Sequence, residues 1–271
     1  MRGRKVLQYV LLMAVAVVVL FPIYITVVNS LLSPDTIGHR PPVLFPTHPH
    51  FGTYSTAFHE GHLGTYLRNS FFMAAVITVG QVITSVFAGY AFAMLRFPFR
   101  RALFITFLST LMIPFEATVI TNRHTIVSLG WENRFPALIV PFLATGLGTF
   151  LLRQAFLGVP RDLHDAARMD GYGHWRFMAR VAVPLARPTI AALAIFSFLG
   201  AWNQYLWPLL VTDTDRLRTV QVGLRQLEGT SIQQINVTFA GTVLAALPIF
   251  ALLIIFQRQL VRGLTAGAVK G

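Results

Sequence analysis

In the segment between residues 33 and 68, the ring nitrogens of four of the five histidines could bind a metal ion. The four are His48, His50, His59 and His62. A zinc site needs three or four ligands held on a rigid frame. This segment is rich in proline and is expected to run as extended chain over the protein surface. We therefore predict a solvated loop and no metal site.

A second set of polar residues interrupts long apolar stretches of the sequence. Glu116 lies inside one such stretch, and Asn203, Gln204 and Tyr205 lie inside another. An ionisable side chain within a membrane span is costly, and it usually faces a protein interior or an aqueous path. Counted along straight helices, Glu116 and Asn203 lie at similar depths, about 20 Å from where their helices start. We expect the four residues to line one translocation path; an outer aromatic belt is the alternative for Tyr205.

Motifs for ATP hydrolysis and for other catalysis are missing from the sequence. A phosphate-binding loop needs Gly, four residues, then Gly-Lys-Ser/Thr, but Lys5 precedes Val6 and Lys270 precedes Gly271. The chain has no cysteine, which excludes disulfides and thiolate sites. No nucleophile-and-base set is evident, so we predict that the chain is not an enzyme.

The elements that must position these residues are membrane helices. The chain is 55% hydrophobic and 12% charged, so lipid must be the solvent for much of its apolar surface. Six apolar stretches approach the ~20 residues of a spanning helix. They cover residues 6–31, 69–95, 102–120, 136–157, 189–211 and 238–261. The first exceeds the ~7–15 apolar residues of a secretory signal and reads as an uncleaved anchor.

These stretches predict an all-α integral membrane protein with six transmembrane helices. An even number of crossings places both termini on one side, and the basic residues flank the helices so that most lie in the cytoplasm if the termini do. The net charge of +12 then reflects topology and contact with anionic lipid headgroups. The arginines form no isolated basic domain, so we predict no nucleic-acid binding.

The predicted cytoplasmic loop, residues 158–188, is expected to hold two short helices. Pro160 suits a first helical position, Asp162 and Asp165 suit the first turn, and Gly171 is a natural stop. Leu163, Ala166 and Ala167 are expected to share the exposed face.

The second helix of this loop is predicted over residues 174–183, and Pro184 is expected to end it. One side would carry Trp175, Met178 and Ala182, and another Arg176 and Arg180. Such a helix pair can insert into the groove of a partner. A lid lying on the membrane surface is the alternative.

The loop also resembles a known motif. From Asp165 the sequence reads Asp-Ala-Ala, three residues, Gly171, nine residues, Val181, one residue, Val183 and Pro184. This pattern is similar to the Glu-Ala-Ala loop of ATP-binding-cassette importer permeases, with conservative departures at Asp165, Val181 and Val183. The resemblance implies that a separate ATPase contacts Asp165, Ala166, Ala167, Gly171 and Pro184.

The C-terminal tail, residues 262–271, carries a second resemblance. Gly263-Leu-Thr-Ala-Gly-Ala-Val-Lys-Gly271 is similar to the ending of the smaller permease subunit in the maltose-type carbohydrate-importer family, and Ala268 is its one departure. The resemblance implies that Thr265, Gly267 and Lys270 contact the ATPase subunits.

The resemblance extends over essentially the whole chain and implies a single permease domain, residues 1–271, with the MetI-like fold. It further implies a bacterial inner-membrane location, a sister permease, two ATPase subunits that bind the ATP and Mg, and an external solute-binding protein. No cofactor is expected in this chain itself.

The solute is indicated by residues 69–101 and 201–213, which most resemble family members that take up glycerol 3-phosphate. The resemblance implies sn-glycerol 3-phosphate or a glycerophosphodiester such as glycerophosphocholine, with a di- or oligosaccharide as the alternative. A secondary carrier would show internal repeats and more charge within its spans, and neither is found.

Overall fold

The computed structural model of the protein describes residues 2–39, 41–59, 61–230 and 235–265, and these ranges contain helices without strands. In chain order the helices are α1 (Arg2–Leu31), α2 (Pro34–Ile37), α3 (Gly52–His59), α4 (Leu63–Met94), α5 (Arg100–Ser109), α6 (Phe115–Ser128), α7 (Phe135–Ile139), α8 (Gly146–Leu157), α9 (Arg161–Met169), α10 (His174–Phe177), α11 (Val183–Leu185), α12 (Arg187–Trp202), α13 (Leu206–Val211), α14 (Val220–Thr230) and α15 (Ile235–Thr265). Short 3-10 turns follow α5 and α7, and a π-helical turn precedes α11.

Three helices are long and apolar enough to cross a membrane without interruption. They are Lys5–Leu31 of α1, Leu63–Met94 of α4 and Ile235–Gln257 of α15. Helix α1 runs through Pro22, and α15 runs through Pro248. These helices confirm the predicted first, second and sixth stretches. An unbroken apolar sequence of this length is sufficient by itself to predict a spanning helix.

The other apolar segments are bent pairs of helices. The breaks are 98° between Arg100–Met112 and Phe115–Ser128, 42° between Phe135–Phe142 and Gly146–Leu157, and 76° between His174–Leu185 and Arg187–Trp202. If each pair counts as one span, the described residues hold up to six, which agrees with the predicted number. The first helix of the third pair, His174–Leu185, falls in the predicted cytoplasmic loop, residues 158–188. That both termini face the cytoplasm stays a prediction.

The third apolar stretch, residues 102–120, does not form one continuous helix. Pro114 disfavours helical backbone at the residue before it, and Ile113 accordingly has extended backbone with φ −85° and ψ 113°. Pro114 then caps the start of α6. The chain therefore turns sharply between the two helices.

The fifth apolar stretch, residues 189–211, is also interrupted. Helix α12 ends at Trp202, and α13 begins at Leu206. In an unbroken helix the ring of Pro208 would clash with the carbonyl group of Gln204 and leave it without a donor. The break at residues 203–205 avoids that clash.

Side chains of α4 satisfy the backbone of the broken fourth segment. Gln81 Nε2 donates to the carbonyl oxygen of Phe142 at 2.8 Å, and Thr84 Oγ1 donates to that of Leu143 at 2.8 Å. Irregular backbone at membrane depth persists only where protein or water satisfies it. Helix α4 thus permits the bend between α7 and α8.

The chain divides into two compact units, the first formed by Met1–Leu67 and Thr219–Phe250. Its small core contains Ala57, Val237 and Ala240. Asn236 Nδ2 donates to the carbonyl oxygen of Leu32 at 3.2 Å, which ties the start of α15 to the end of α1. Helices α2 and α3 form in the loop for which only extended chain was predicted.

The second unit is formed by Arg68–Arg218 and Ala251–Gly271. Its core joins α4 and α8 to the predicted cytoplasmic loop through Tyr90, Phe156 and Phe177, all buried. Helix α8 packs closely on α4, since a Cβ atom built on Gly148 would lie 2.3 Å from Ser85 Oγ. The description of residues 1–271 as a single permease domain stays a prediction.

Candidate coupling surface and translocation path

Helix α9 forms the first part of the candidate coupling surface. Pro160 is its N-cap and Asp162 lies in its first turn, where the helix dipole favours a carboxylate. Asp165 lies a turn later, so its predicted place in the first turn is wrong. Gly171 has φ +73°, a left-handed conformation that glycine adopts without steric cost, and it stops the helix as predicted.

The two alanines of the motif differ in their exposure to solvent. Ala167 is only 7% exposed and packs in the core of the second unit, whereas Ala166 is exposed. The prediction that Ala167 shares an exposed face is therefore wrong, because aromatic side chains below it cover that side of the helix. Leu163 is exposed, as predicted. Among the other exposed residues, Asp162, Asp165, Ala166 and Met169 share one face of α9. We call these four residues the docking face.

The second helix of the loop differs from its prediction in two respects. Trp175 is 73% exposed, and Phe177 occupies the buried side with Met178 and Ala182. Pro184 does not end the helix, which continues to Leu185. The backbone N–H of Val183 donates to the carbonyl oxygen of Met178, five residues earlier. The wider π-helical turn accommodates Pro184, which has no backbone N–H group to donate.

Two contacts join this second helix to α4. The hydroxyl group of Tyr90 lies within hydrogen-bonding distance of His174, and the ring of Phe87 meets that of Trp175 edge to face at 5.8 Å. These contacts join the loop to the C-terminal part of α4.

Glu116 lies in the first turn of α6, directly after the 98° break, and is exposed. The depth of about 20 Å that was counted along a straight helix does not apply across this break. The N-terminal end of a helix favours a carboxylate, which gives Glu116 a structural role as an alternative to a transport role.

Asn203, Gln204 and Tyr205 occupy the break between α12 and α13. Gln204 Oε1 is buried without a hydrogen-bond donor among the described residues. Buried polar atoms usually have partners, so this unpaired amide oxygen keeps Gln204 a candidate for a contact that the single chain does not supply. Asn203 and Tyr205 are exposed.

Helices α6 and α13 pack together, which brings the start of α6 near the break. The rings of Phe115 and Trp207 are 5.9 Å apart, and Arg123 Nε donates to the carbonyl oxygen of Leu210 at 3.0 Å. Glu116 follows Phe115 directly, and Trp207 lies shortly after Gln204. The structure thus places the candidate path residues in one region of the second unit.

Sequence comparison identifies the family. The family described as "Binding-protein-dependent transport system inner membrane component" matches residues 4–266. The chain belongs to this family. It is an inner-membrane transport component, and we refer to it below as the permease.

Relatives of the permease cover nearly its whole length. It is 34% identical over 271 residues to the "sn-glycerol-3-phosphate transport system permease protein UgpE" of Yersinia pestis bv. Antiqua (strain Antiqua), covering 97% of this chain and 96% of the relative. It is 35% identical over 269 residues to the protein of the same name from Rhizobium meliloti (strain 1021), with 96% and 95% coverage.

The fold of the permease matches that of solved transporters. A chain of a bacterial ABC transporter involved in the import of the acidic polysaccharide alginate superposes with a TM-score of 0.84 at 22% identity, over 95% of this chain and 96% of that one. A chain of an alginate ABC transporter in complex with an alginate pentasaccharide-bound periplasmic protein gives 0.64 at 13% identity, with the same coverage.

Some predicted site residues fall near or beyond the end of the described chain. Thr265 is the last residue of α15, and Gly267 and Lys270 lie outside the described residues. Within the described ranges no group of three His, Cys, Asp or Glu residues is placed to hold a metal ion.

Polar residues that fix the chain after α13 were not predicted from the sequence. Asn69 Nδ2 donates to the carbonyl oxygens of Arg216 and Arg218 at 2.9 and 3.0 Å, and Asn133 Oδ1 accepts from the backbone N–H of Asp213 at 2.7 Å. Asn69 is a polar residue at the start of an apolar stretch, and this unusual position is the one signal for it in the sequence. Its partners lie about 150 residues away along the sequence, so no local pattern identifies them.

Proposed function

We propose that the permease forms half of the translocation pore of an ATP-driven importer for sn-glycerol 3-phosphate or a glycerophosphodiester. The observation that supports this most directly is its 34% identity, over 97% of the chain, to a protein named as an sn-glycerol-3-phosphate permease. Similarity over this length includes the spans, the loop and the connecting segments together.

The partners of the permease in this proposal are a sister permease, two ATPase subunits and an extracytoplasmic solute-binding protein. The absence of a phosphate-binding loop from the sequence supports a separate ATPase, and the permease itself would catalyse no reaction. The periplasmic protein in the complex of a structural neighbour is consistent with delivery by a binding protein.

The docking face would contact the ATPase. Asp165 has a 71% exposed side chain, Ala166 is exposed beside it, and no atom lies within 4 Å of a Cβ built on Gly171. These residues leave room for close approach by another subunit. Ala167 would support this surface by packing in the core behind it. Pro184 would support it by fixing the π-helical turn.

The solute would pass Glu116, Asn203, Gln204 and Tyr205. A carboxylate repels a phosphate group and attracts a quaternary ammonium group, so an ionised Glu116 suits glycerophosphocholine better than glycerol phosphate. An arginine of the sister permease could neutralise Glu116 and remove this preference.

The C-terminal tail would insert between the ATPase subunits through Thr265, Gly267 and Lys270. Deletion of residues 265–271 is then expected to lower assembly of the complex or its ATPase activity. Unchanged assembly and transport would indicate a frayed terminus instead.

Ligand titration of the partner binding protein tests the identity of the solute. We expect saturable binding of sn-glycerol 3-phosphate or glycerophosphocholine, and uptake by the complex that unlabelled ligand competes away. Binding of a neutral disaccharide without either phosphate compound would overturn the proposed solute.

An acidic oligosaccharide is the second candidate, favoured by the fold match to an alginate importer with a TM-score of 0.84. It should be included in the same titration. Selective binding of the oligosaccharide would support this candidate over glycerol phosphate.

A further inference from the structure

A basic pocket of about 600 Å³ lies between the end of α4 and the side of α9. Arg96, His164, Arg168 and His174 line it, and no acidic residue does. His164 and Arg168 are four residues apart, so they share one face of α9. The pocket lies on that face and is not lined by any of the four docking-face residues.

The two arginines of the pocket have unused hydrogen-bonding capacity. Neither guanidinium group has a hydrogen-bond or ion-pair partner among the described residues. A guanidinium group presents several donors in a planar fork that matches the oxygen atoms of a phosphate group. Two such groups on one cavity therefore favour a phosphate-bearing anion.

The position of the pocket favours a lipid as the source of that phosphate. Helix α4 is a membrane span that ends at Met94, and Met94, Leu95 and Phe97 form part of the pocket wall. These apolar side chains lie at the end of a helix that is long and apolar enough to cross a membrane, and they line the pocket together with the basic ones. This combination suits a headgroup phosphate with its glycerol and the first part of an acyl chain.

We propose that this pocket binds the phosphate group of an anionic phospholipid such as phosphatidylglycerol. The lipid would bridge the end of α4 to helix α9 through Arg96 and Arg168. It would thereby hold the candidate coupling loop at the membrane surface, independently of which solute the permease transports.

The test uses the purified complex that contains the full-length permease, washed free of loosely bound lipid in detergent. Binding of dioctanoyl phosphatidylglycerol is titrated by native mass spectrometry and by the melting temperature of the complex. Arg96→Gln combined with Arg168→Gln is expected to weaken binding roughly tenfold or more, because charge-assisted hydrogen bonds are lost. Arg96→Lys combined with Arg168→Lys should fall between this variant and the parent.

A matched control removes two positive charges from the same region outside the pocket. Arg101 and Arg187 are exposed and do not line the pocket, so Arg101→Gln with Arg187→Gln should leave phosphatidylglycerol binding within about twofold of the parent. An equal loss of binding in the control would show that the effect comes from general surface charge, and it would overturn the proposal.

Two further titrations distinguish the sources of the ligand. Dioctanoyl phosphatidylcholine is expected to bind the parent clearly more weakly, since its headgroup has no net negative charge; equal binding would overturn an anionic site. If inorganic phosphate alone gives the full thermal shift, and the glutamine pair abolishes it, the site takes a free anion and the lipid assignment is wrong.

Discussion

The hydroxyl oxygen of Tyr90, near the end of α4, lies 3.3 Å from Nδ1 of His174 and 3.2 Å from its carbonyl oxygen. The Tyr90 ring also meets that of Phe156 edge to face at 5.8 Å. A membrane span is thus joined to the first residue of α10 by a polar contact and held in place by an aromatic one. We expect this contact to link the position of the loop to that of the span.

The first prediction concerns that contact. Tyr90→Phe keeps the aromatic packing and removes the hydroxyl group, which is expected to destabilise the loop by about 1 kcal/mol. ATPase activity should remain while the number of solute molecules transported per ATP falls. A double-mutant cycle with His174→Ala measures the pairwise coupling. Additive effects in that cycle would show that the contact does not link the two helices.

The second prediction concerns Gly171, where the backbone conformation and not the available space restricts substitution. A left-handed residue with a Cβ atom costs ~1–2 kcal/mol, and asparagine tolerates the conformation better than alanine. We expect coupled transport to fall in the order glycine, asparagine, alanine, and Gly171→Asp to abolish assembly or coupling. Normal binding-protein-stimulated ATPase activity and transport in Gly171→Asp would contradict this account.

The third prediction concerns the bend between α7 and α8. Gln81→Leu leaves the carbonyl oxygen of Phe142 without its donor, and the stability of the purified complex should fall by about 1 kcal/mol. Thr78→Val is the control on the same helix, because the Thr78 hydroxyl group bonds only to its own helix, at Ala74. If the two substitutions lower the melting temperature equally, Gln81 does not stabilise the bend.

The fourth prediction separates a transport role for Glu116 from a structural one. Glu116→Gln is expected to leave assembly largely intact and to lower solute uptake, most strongly for a choline-bearing solute. Glu228→Gln provides a control, since Glu228 lies on α14 and pairs with Arg225. If Glu116→Gln with Asn203→Ala transports at the parental rate, both residues are withdrawn from the path. Poor expression with normal specific transport would favour the dipole role.

Features of the fold that depend on neighbouring residues were predictable from the sequence. Features that depend on contacts between distant residues were not. The spans of α1, α4 and α15 depend only on unbroken apolar sequence, and they were predicted correctly. The breaks before α6 and α13 depend on how Pro114 and Pro208 affect the backbone of the preceding residues. Residue type therefore indicates where each helix is interrupted, but it does not give the angle of the bend.

The same reasoning applies to the candidate coupling surface. The positive φ of Gly171 follows from residue type and place, and it was predicted as a stop. Ala166 and Ala167 are chemically identical, so their opposite exposure depends on Phe156 and Phe177 packing beneath α9. Those contacts join distant parts of the chain, and the motif alone does not predict them.

Solute uptake by the reconstituted complex distinguishes an ATP-driven importer from a secondary carrier. Proteoliposomes that contain the permease, its sister subunit and the ATPase subunits are loaded with ATP and given binding protein outside with labelled sn-glycerol 3-phosphate. The account predicts accumulation that requires both ATP and binding protein and is lost in Gly171→Asp. Accumulation that persists without ATP and follows an imposed proton gradient would contradict it, because such a protein is a secondary carrier.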